Sequence, residues 1–187
     1  VVLVDQSAGA HLCALVLLRG AVHWRPNDLR GFVGISGPYH VPATAAHWRA
    51  RGFGQAMLDF IFGDEAGMLM ASPSYLAARA EDVELPPMLL LHGTADKSAT
   101  AQSTLDFAAA LEDLGVDVQT KLYEGWTHTD PILERPFAGD QRLHRDLLEA
   151  VSKWCDGPVA AFSDETPGLG RLCPQVLIEL GRRCMPF

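Results

Sequence analysis

Short runs of hydrophobic residues alternate along the chain with longer segments that have helical spacing. Continuous apolar runs occur at residues 1–4, 31–36 and 88–91, and residues 116–123 alternate between apolar and polar positions. Such runs are typical of strands in a parallel sheet that is covered on both faces. Helical spacing is found at residues 8–18, 101–114 and 141–154. Strands that alternate with helices predict an α/β domain with a doubly wound sheet.

Two segments depart from this alternation. Residues 39–80 are rich in Ala, Trp, Met and Phe and show helical spacing around Met57, Leu58 and Ile61. We therefore predict a helical excursion that lies above the sheet as a lid. Residues 156–187 contain two turn signals with Gly and Pro, followed by a short helical pattern at 174–181. This pattern predicts a C-terminal tail made of a loop and one helix.

Composition excludes several classes of protein. The net charge is -8 and the basic residues are scattered, which is not typical of nucleic-acid binding. No apolar stretch approaches the roughly 18 residues of a membrane span, so we expect a soluble chain, with any anchor upstream of Val1. The cysteines show neither a C-x-x-C pair nor metal-ligand spacing, which predicts free thiols and no metal site. They are Cys13, Cys155, Cys173 and Cys184.

The first apolar run leads directly into a tight turn that carries a serine. Ser7 stands between the predicted strand and a predicted helix, where the backbone can hold its hydroxyl clear of the sheet and beside a base. We predict Ser7 as a nucleophile and the backbone N–H of Ala8 as a donor to the oxyanion. Several strands normally precede such a turn, so we expect the chain to be the C-terminal part of a longer fold. The alternative for Ser7 is a simple helix cap.

Two further polar residues follow predicted strands. Asp96 comes after the run at 88–91, and His128 comes after the run at 116–123. The carboxyl ends of parallel strands share one edge of the sheet, and the order Ser, Asp, His is that of α/β-hydrolases. We predict that His128 is the general base and then the acid, and that Asp96 fixes its tautomer. The alternatives are a turn aspartate and a loop histidine that bonds backbone.

Three other titratable residues lie close to these positions. His11 is four residues after Ser7, on a helix whose side chains point back under the turn, so we expect a packing role. His92 ends a strand, and we expect it to bond nearby backbone. Asp130 is the second candidate for the acid, but its closeness to His128 favours a local loop contact or a helix cap.

Three motifs together resemble the plant and algal isoprenylcysteine methylesterases, which are α/β-hydrolases of the carboxylesterase lineage. The motifs are Q-S-A-G-A-H at 6–11, H-G-T-A-D at 92–96 and Y-E-G-W-T-H-T-D at 123–130. The first is shared with other carboxylesterases and arylformamidases, and the third is more specific. The resemblance extends to the tail and covers essentially the whole chain. It implies a single partial α/β-hydrolase domain over residues 1–187, with a parallel sheet, flanking helices and an excursion over the active site.

The resemblance also implies a function. The chain would be a serine carboxylesterase that hydrolyses the methyl ester of a C-terminal farnesylated or geranylgeranylated cysteine, without a metal or organic cofactor. Family members are associated with endoplasmic reticulum and Golgi membranes, which implies that location, with the cytoplasm as the alternative. The other candidates are a general carboxylesterase, an arylformamidase, and a catalytically inactive fragment of such an enzyme.

Three apolar side chains are candidates for contact with such a substrate. Trp126 stands beside the predicted base, and Met57 and Phe60 belong to the excursion. The segment at 57–62 could line a prenyl groove or touch a membrane surface. The alternative is that this apolar helical stripe faces the core.

The chain departs from the family pattern at the serine turn. Asp5 stands where the family has glycine, two places before Ser7. We expect its carboxylate to crowd the turn and to oppose a developing oxyanion, so that Asp5→Gly raises esterase activity. The His-Gly-Gly oxyanion loop lies upstream of the serine in the family. We therefore expect Ala8 to act without a fixed partner, at a cost on the order of 100- to 1000-fold in rate.

Overall fold

Four parallel strands form the sheet of this chain. The computed structural model describes residues 1–20, 28–81, 83–155 and 173–184. The strands are β1 Val2–Gln6, β2 Gly31–Ile35, β3 Met88–Gly93 and β4 Val118–Tyr123, in the spatial order β1-β2-β3-β4. In register, Val4 is paired with Val33, Val33 with Leu89 and Leu89 with Gln119. All four strands expected from the hydrophobic pattern are confirmed, and all their carboxyl ends lie at one edge.

Helices connect and cover the strands. In the described part of the chain they are α1 Ala8–Leu18, α2 Val41–Ala50, α3 Gln55–Phe62, α4 Glu65–Met70, α5 Pro73–Ala77, α6 Ala101–Asp113, α7 Glu134–Phe137, α8 Arg142–Trp154 and α9 Gln175–Cys184. The predicted excursion contains α2 to α5 and is helical throughout. Helix α7 was not expected, because four residues are too few to show a period. The predicted loop at 156–172 and residues 185–187 lie outside the described residues.

The two faces of β3 belong to two separate hydrophobic cores. Met88 and Leu90 pack with residues of α1 and α6, whereas Leu89 and Leu91 pack with residues of α8. Every residue of β3 is buried, because helices cover both faces of the sheet. This burial explains why β3 is a continuous apolar run rather than an alternating one.

Strand β1 lies at an edge of the described sheet. Val1 and Val4 are 77% and 47% exposed, while every residue of β2 is buried. The described sheet therefore has an exposed apolar edge at β1. Of the four cysteines, Cys13, Cys155 and Cys173 are free thiols, as predicted, and the side chain of Cys184 is outside the described part.

The turn from β1 to α1 has an unusual backbone. Ser7 has φ 57° and ψ -123°, a combination that costs a non-glycine residue free energy and persists only where its surroundings enforce it. Two hydrogen bonds do so. The Ser7 N–H donates to the Ile35 carbonyl at 2.8 Å, and the His11 N–H donates to the Ser7 carbonyl at 3.1 Å. The turn is thereby attached to β2 and to the first turn of α1.

The Asp5 side chain packs against the first turn of α1, and the expectation that it opposes an oxyanion and slows the reaction stays a prediction. Its carboxylate lies over Gly9 of α1, where a Cβ would stand only 1.9 Å from Oδ1. Oδ1 accepts the Gln6 N–H at 2.8 Å, and the Cys13 thiol lies 3.6 Å from Oδ2. Burial of the thiol and the neighbouring Asp5 raise the pKa of Cys13. The absence of a side chain at Gly9 is what makes room for the carboxylate.

This packing predicts that Gly9→Ala destabilises the fold. Alanine improves helix propensity, but the Asp5 side chain must rotate away and give up the hydrogen bond from the Gln6 N–H, and we expect a net loss of up to about 1 kcal/mol in the free energy of unfolding. Adding Asp5→Gly to Gly9→Ala restores wild-type stability or better. Urea unfolding measures both variants, with Gly54→Ala as the control because a Cβ at that position meets open space. Equal stability of Gly9→Ala and wild type would contradict the packing described here.

Candidate active site

The ends of three strands bring Ser7, Asp96 and His128 together. Ser7 follows β1, Asp96 lies in the turn after β3, and His128 lies in the loop after β4. The Ser7 Oγ is 2.7 Å from His128 Nε2, and His128 Nδ1 is 2.7 Å from Asp96 Oδ2. The structure thus unites the three residues predicted from the sequence, with the spacing that a Ser-His-Asp constellation requires.

The hydrogen-bond partners of His128 show which of its ring nitrogens carries the hydrogen. The Asp96 carboxylate can only accept, so His128 Nδ1 carries the hydrogen and donates it. In the neutral ring Nε2 is then an acceptor for the Ser7 hydroxyl. The Ser7 side chain forms no capping hydrogen bond with α1, so the structure does not support the helix-cap alternative.

Asp96 is also a turn aspartate, and this second role fixes its carboxylate. Oδ1 accepts the backbone N–H groups of Ser98 at 2.7 Å and Ala99 at 3.0 Å. Burial alone would raise the pKa of Asp96, but the hydrogen bonds from His128, His92 and the Ala99 backbone outweigh burial and hold the pKa well below its usual range. The carboxylate is therefore ionised at neutral pH.

His92 also contacts Asp96, a role that was not predicted from the sequence. The ring is completely buried, and its Nε2 lies 3.0 Å from the Ala99 carbonyl and 3.1 Å from Asp96 Oδ2. Because both groups can only accept, Nε2 carries the hydrogen, and Nδ1 accepts from the Thr104 hydroxyl at 2.7 Å. The expected backbone contact is present, and contact with Asp96 is added to it. The four-residue spacing between His92 and Asp96 was the feature of the sequence that could have indicated this contact.

Gln6 is a second residue that the sequence analysis missed. Its side-chain amide donates to the His128 carbonyl at 2.9 Å and so ties the end of β1 to the loop after β4. His11 has the packing role that was expected, because its Nε2 donates to the Ala71 carbonyl at 2.6 Å. Burial lowers the pKa of His11, which favours the neutral ring. Asp130 makes local contacts, accepting the Thr127 N–H at 2.7 Å.

A cleft of about 700 Å³ opens beside His128. Most of its wall comes from the excursion, and it is lined by Trp48, Arg51, Gly52, Phe53, Ile61, Ser98 and His128. Three of these side chains are large and apolar, so the cleft suits the hydrocarbon part of a ligand whose reacting group reaches Ser7. Trp48 and Phe53 were not among the candidates from the sequence.

Burial argues against the predicted contact of Trp126 with a substrate, whereas the contacts of Met57 and Phe60, which do not line the cleft, stay a prediction. Trp126 is completely buried and stacks on Tyr123 at a centroid distance of 4.1 Å, so it belongs to the core on the α8 face of the sheet. Met57 and Phe60 are 51% and 86% exposed. Helix α3 buries only Leu58, and its contribution to the cleft is Ile61.

Curated relatives match the chain along almost its whole length. An isoprenylcysteine alpha-carbonyl methylesterase from Arabidopsis thaliana is 29% identical over 198 residues, covering 99% of this chain and 46% of the relative. A probable isoprenylcysteine alpha-carbonyl methylesterase from Oryza sativa subsp. japonica is 32% identical over 200 residues, covering 99% and 47%. The chain spans about half the length of these relatives. The resemblance inferred from the three motifs is confirmed.

Solved structures confirm the fold. The acylaminoacyl peptidase of Pyrococcus horikoshii aligns with a TM-score of 0.62 at 17% identity, covering 86% of this chain and 25% of that protein. The apo form of esterase 2 from Thermogutta terrifontis aligns with a TM-score of 0.57 at 20% identity, covering 83% and 57%. The predicted α/β-hydrolase fold is thus shown, with its parallel sheet and flanking helices.

None of the described helices combines the length and the hydrophobicity needed to cross a bilayer.

A model of the prolyl oligopeptidase family also matches the chain, over residues 44–158, which is more than half of its length. That match runs from α2 to beyond the end of α8 and includes both Asp96 and His128. The chain therefore belongs to the prolyl oligopeptidase family.

Proposed function

We propose that this chain supplies the nucleophile, the base and the acid of a serine carboxylesterase. The observation that carries the proposal is the continuous hydrogen-bond chain from Ser7 through His128 to Asp96 at the carboxyl edge of the sheet. A serine hydroxyl needs an adjacent base to become a useful nucleophile, and the base needs a partner that fixes its tautomer. The names of the curated relatives, which are methylesterases, support ester hydrolysis as the reaction.

The reaction would proceed through an acyl-enzyme. Ser7 Oγ attacks the ester carbonyl while His128 Nε2 takes its proton, and the ionised Asp96 stabilises the imidazolium. The oxyanion forms near the N–H of Ala8, which opens α1 and has no intrahelical carbonyl to bond. His128 then gives its proton to the departing methanol. Water enters and attacks the acyl carbonyl while His128 takes its proton, and His128 then returns this proton to Ser7 Oγ as the acid leaves.

The substrate we propose is the methyl ester of a C-terminal prenylated cysteine. In this ester the prenyl thioether belongs to the acyl part, so it stays close to the reacting carbonyl. The cleft begins at His128 and is walled by Trp48, Phe53 and Ile61, which suits a branched hydrocarbon chain. A general carboxylesterase or an arylformamidase would use the same three catalytic residues with a different acyl group.

We include contact with a membrane surface in the proposal. Phe53, Met57, Phe60 and Ile61 are all at least 42% exposed, and two of them also line the cleft. A prenylated terminus lies among lipid tails before it is bound, so an apolar rim around the cleft would assist its transfer. Location at endoplasmic reticulum or Golgi membranes belongs to the same proposal.

One prediction from the proposed function concerns the nucleophile and the substrate class. Wild type hydrolyses farnesylcysteine methyl ester, and Ser7→Ala lowers kcat by a factor on the order of 10⁶, because removing the nucleophile of such a constellation removes nearly all of its catalysis. Released methanol measures the rate, and Ser152→Ala, at an exposed position of α8, is the control. Faster turnover of N-formylkynurenine would indicate an arylformamidase, and faster turnover of p-nitrophenyl acetate a general carboxylesterase.

A second prediction concerns Asp96. Asp96→Asn retains the shape of the side chain but favours the wrong imidazole tautomer, so kcat falls by a factor on the order of 10⁴. The variant is also less stable at neutral pH, because the lowered pKa of Asp96 adds stability above the unfolded value of about 3.9. That contribution is lost as the pH falls through the folded pKa. Urea unfolding at pH 7 and at pH 3 should therefore show a smaller difference from wild type at pH 3; a difference that does not shrink would contradict the role of Asp96.

A further inference from the structure

Helix α2 of the excursion holds the loop that follows the catalytic aspartate. His47 Nε2 donates to the Lys97 carbonyl at 2.6 Å, and Trp48 Nε1 donates to the Ser98 carbonyl at 2.6 Å. The Arg51 guanidinium also donates to the Lys97 carbonyl. Two side chains of α2 and that of Arg51, the residue that follows its last residue, thus bind two consecutive carbonyl groups.

The same two peptide groups hold the carboxylate of Asp96. The carbonyl of Ser98 and the N–H of Ala99 belong to one planar peptide unit, and that N–H donates to Asp96 Oδ1 at 3.0 Å. The carbonyl of Lys97 and the N–H of Ser98 form the preceding unit, whose N–H donates to the same oxygen at 2.7 Å. In each rigid peptide unit, the carbonyl oxygen therefore accepts a hydrogen bond from a side chain of α2, and the N–H donates a hydrogen bond to Asp96. Hydrogen bonds in such chains polarise and strengthen one another.

Trp48 connects this network with the cleft. Its indole is part of the cleft wall together with Phe53 and Ile61, and His128 lies in the same wall. An apolar group in the cleft packs on the indole, limits its rotation and excludes water from its N–H. Without such a group, we expect water to compete with the indole N–H for the Ser98 carbonyl. Filling the cleft therefore tightens the bond that orients one of the two peptide units on Asp96.

We propose that Trp48 is a positioning residue that transmits occupancy of the cleft to Asp96. An apolar acyl chain in the cleft then raises kcat as well as lowering KM, because the acyl chain remains on Ser7 while His128 and Asp96 activate water. This inference rests on the esterase function proposed above. It makes Trp48 a determinant of chain-length specificity that acts through the acid loop and not only through contact area.

The test uses Trp48→Phe, which keeps an aromatic wall but removes the N–H donor and one ring of the indole. Hydrolysis of p-nitrophenyl acetate and p-nitrophenyl octanoate is followed with the 187-residue chain. We expect kcat for the octanoate to fall about 3- to 10-fold, the range given by loss of one neutral hydrogen bond, with little change in its KM. The gain in kcat from acetate to octanoate that we expect in wild type should disappear in this variant.

The control is Trp154→Phe on α8. The indole N–H of Trp154 is buried and has no hydrogen-bond partner among the described residues, so the same substitution there removes no donor bond. We expect Trp154→Phe to retain the wild-type kcat for both esters. A change confined to the octanoate KM in Trp48→Phe, or the same kcat loss in both variants, would overturn the proposal.

A second readout needs no turnover. The Nδ1 hydrogen of His128, bonded to Asp96, gives a far-downfield proton NMR signal whose exchange with water reports how well Asp96 is held. We expect this exchange to be faster in Trp48→Phe than in wild type or Trp154→Phe. Equal exchange in all three proteins would overturn the positioning role even if the chain were inactive. Absence of ester turnover in wild type would refute the proposed function separately.

Discussion

The buried carboxylate of Asp96 is the group around which this structure is arranged. A buried charge is costly unless it is fully hydrogen-bonded, and four N–H groups meet that requirement here. Two come from the loop after β3, at Ser98 and Ala99, and two come from the rings of His92 and His128. Removing one of these donors leaves the charge partly unsatisfied, so the loops after β3 and β4 and the end of β3 depend on one another.

Parallel pairing of the strands makes this convergence geometrically possible. The carboxyl ends of β1, β3 and β4 lie at one edge, and the loop after β4 reaches back over the end of β3. Gly93 permits that close approach, since a Cβ there would stand 2.2 Å from the Trp126 carbonyl. The Ala95 N–H donates to the same carbonyl at 3.0 Å. Gln6 adds a link from β1, so that Ser7 and His128 are fixed to one frame.

The periodic part of this architecture could be predicted from the sequence, and the long-range contacts could not. Strand β3 shows a clear pattern because burial on both faces leaves a continuous apolar run. The order of Ser7, Asp96 and His128 followed from their positions after strands. Trp126 was misjudged because a loop has no period that shows which side is buried, and its burial depends on stacking with Tyr123. Gln6 and Trp48 donate hydrogen bonds to backbone carbonyls. Every residue has such a carbonyl, so the type of the accepting residue cannot predict these contacts.

The reactivity of Ser7 is the most direct measure of whether this arrangement works as a catalyst. A fluorophosphonate reacts only with a serine that a base activates, so the purified 187-residue chain is treated with the probe and the modified peptide is identified by mass spectrometry. We expect a single adduct on Ser7 that is absent in His128→Ala. No adduct, an adduct on another serine, or equal labelling of Ser7 in His128→Ala would contradict the assignment of Ser7 and His128 as nucleophile and base.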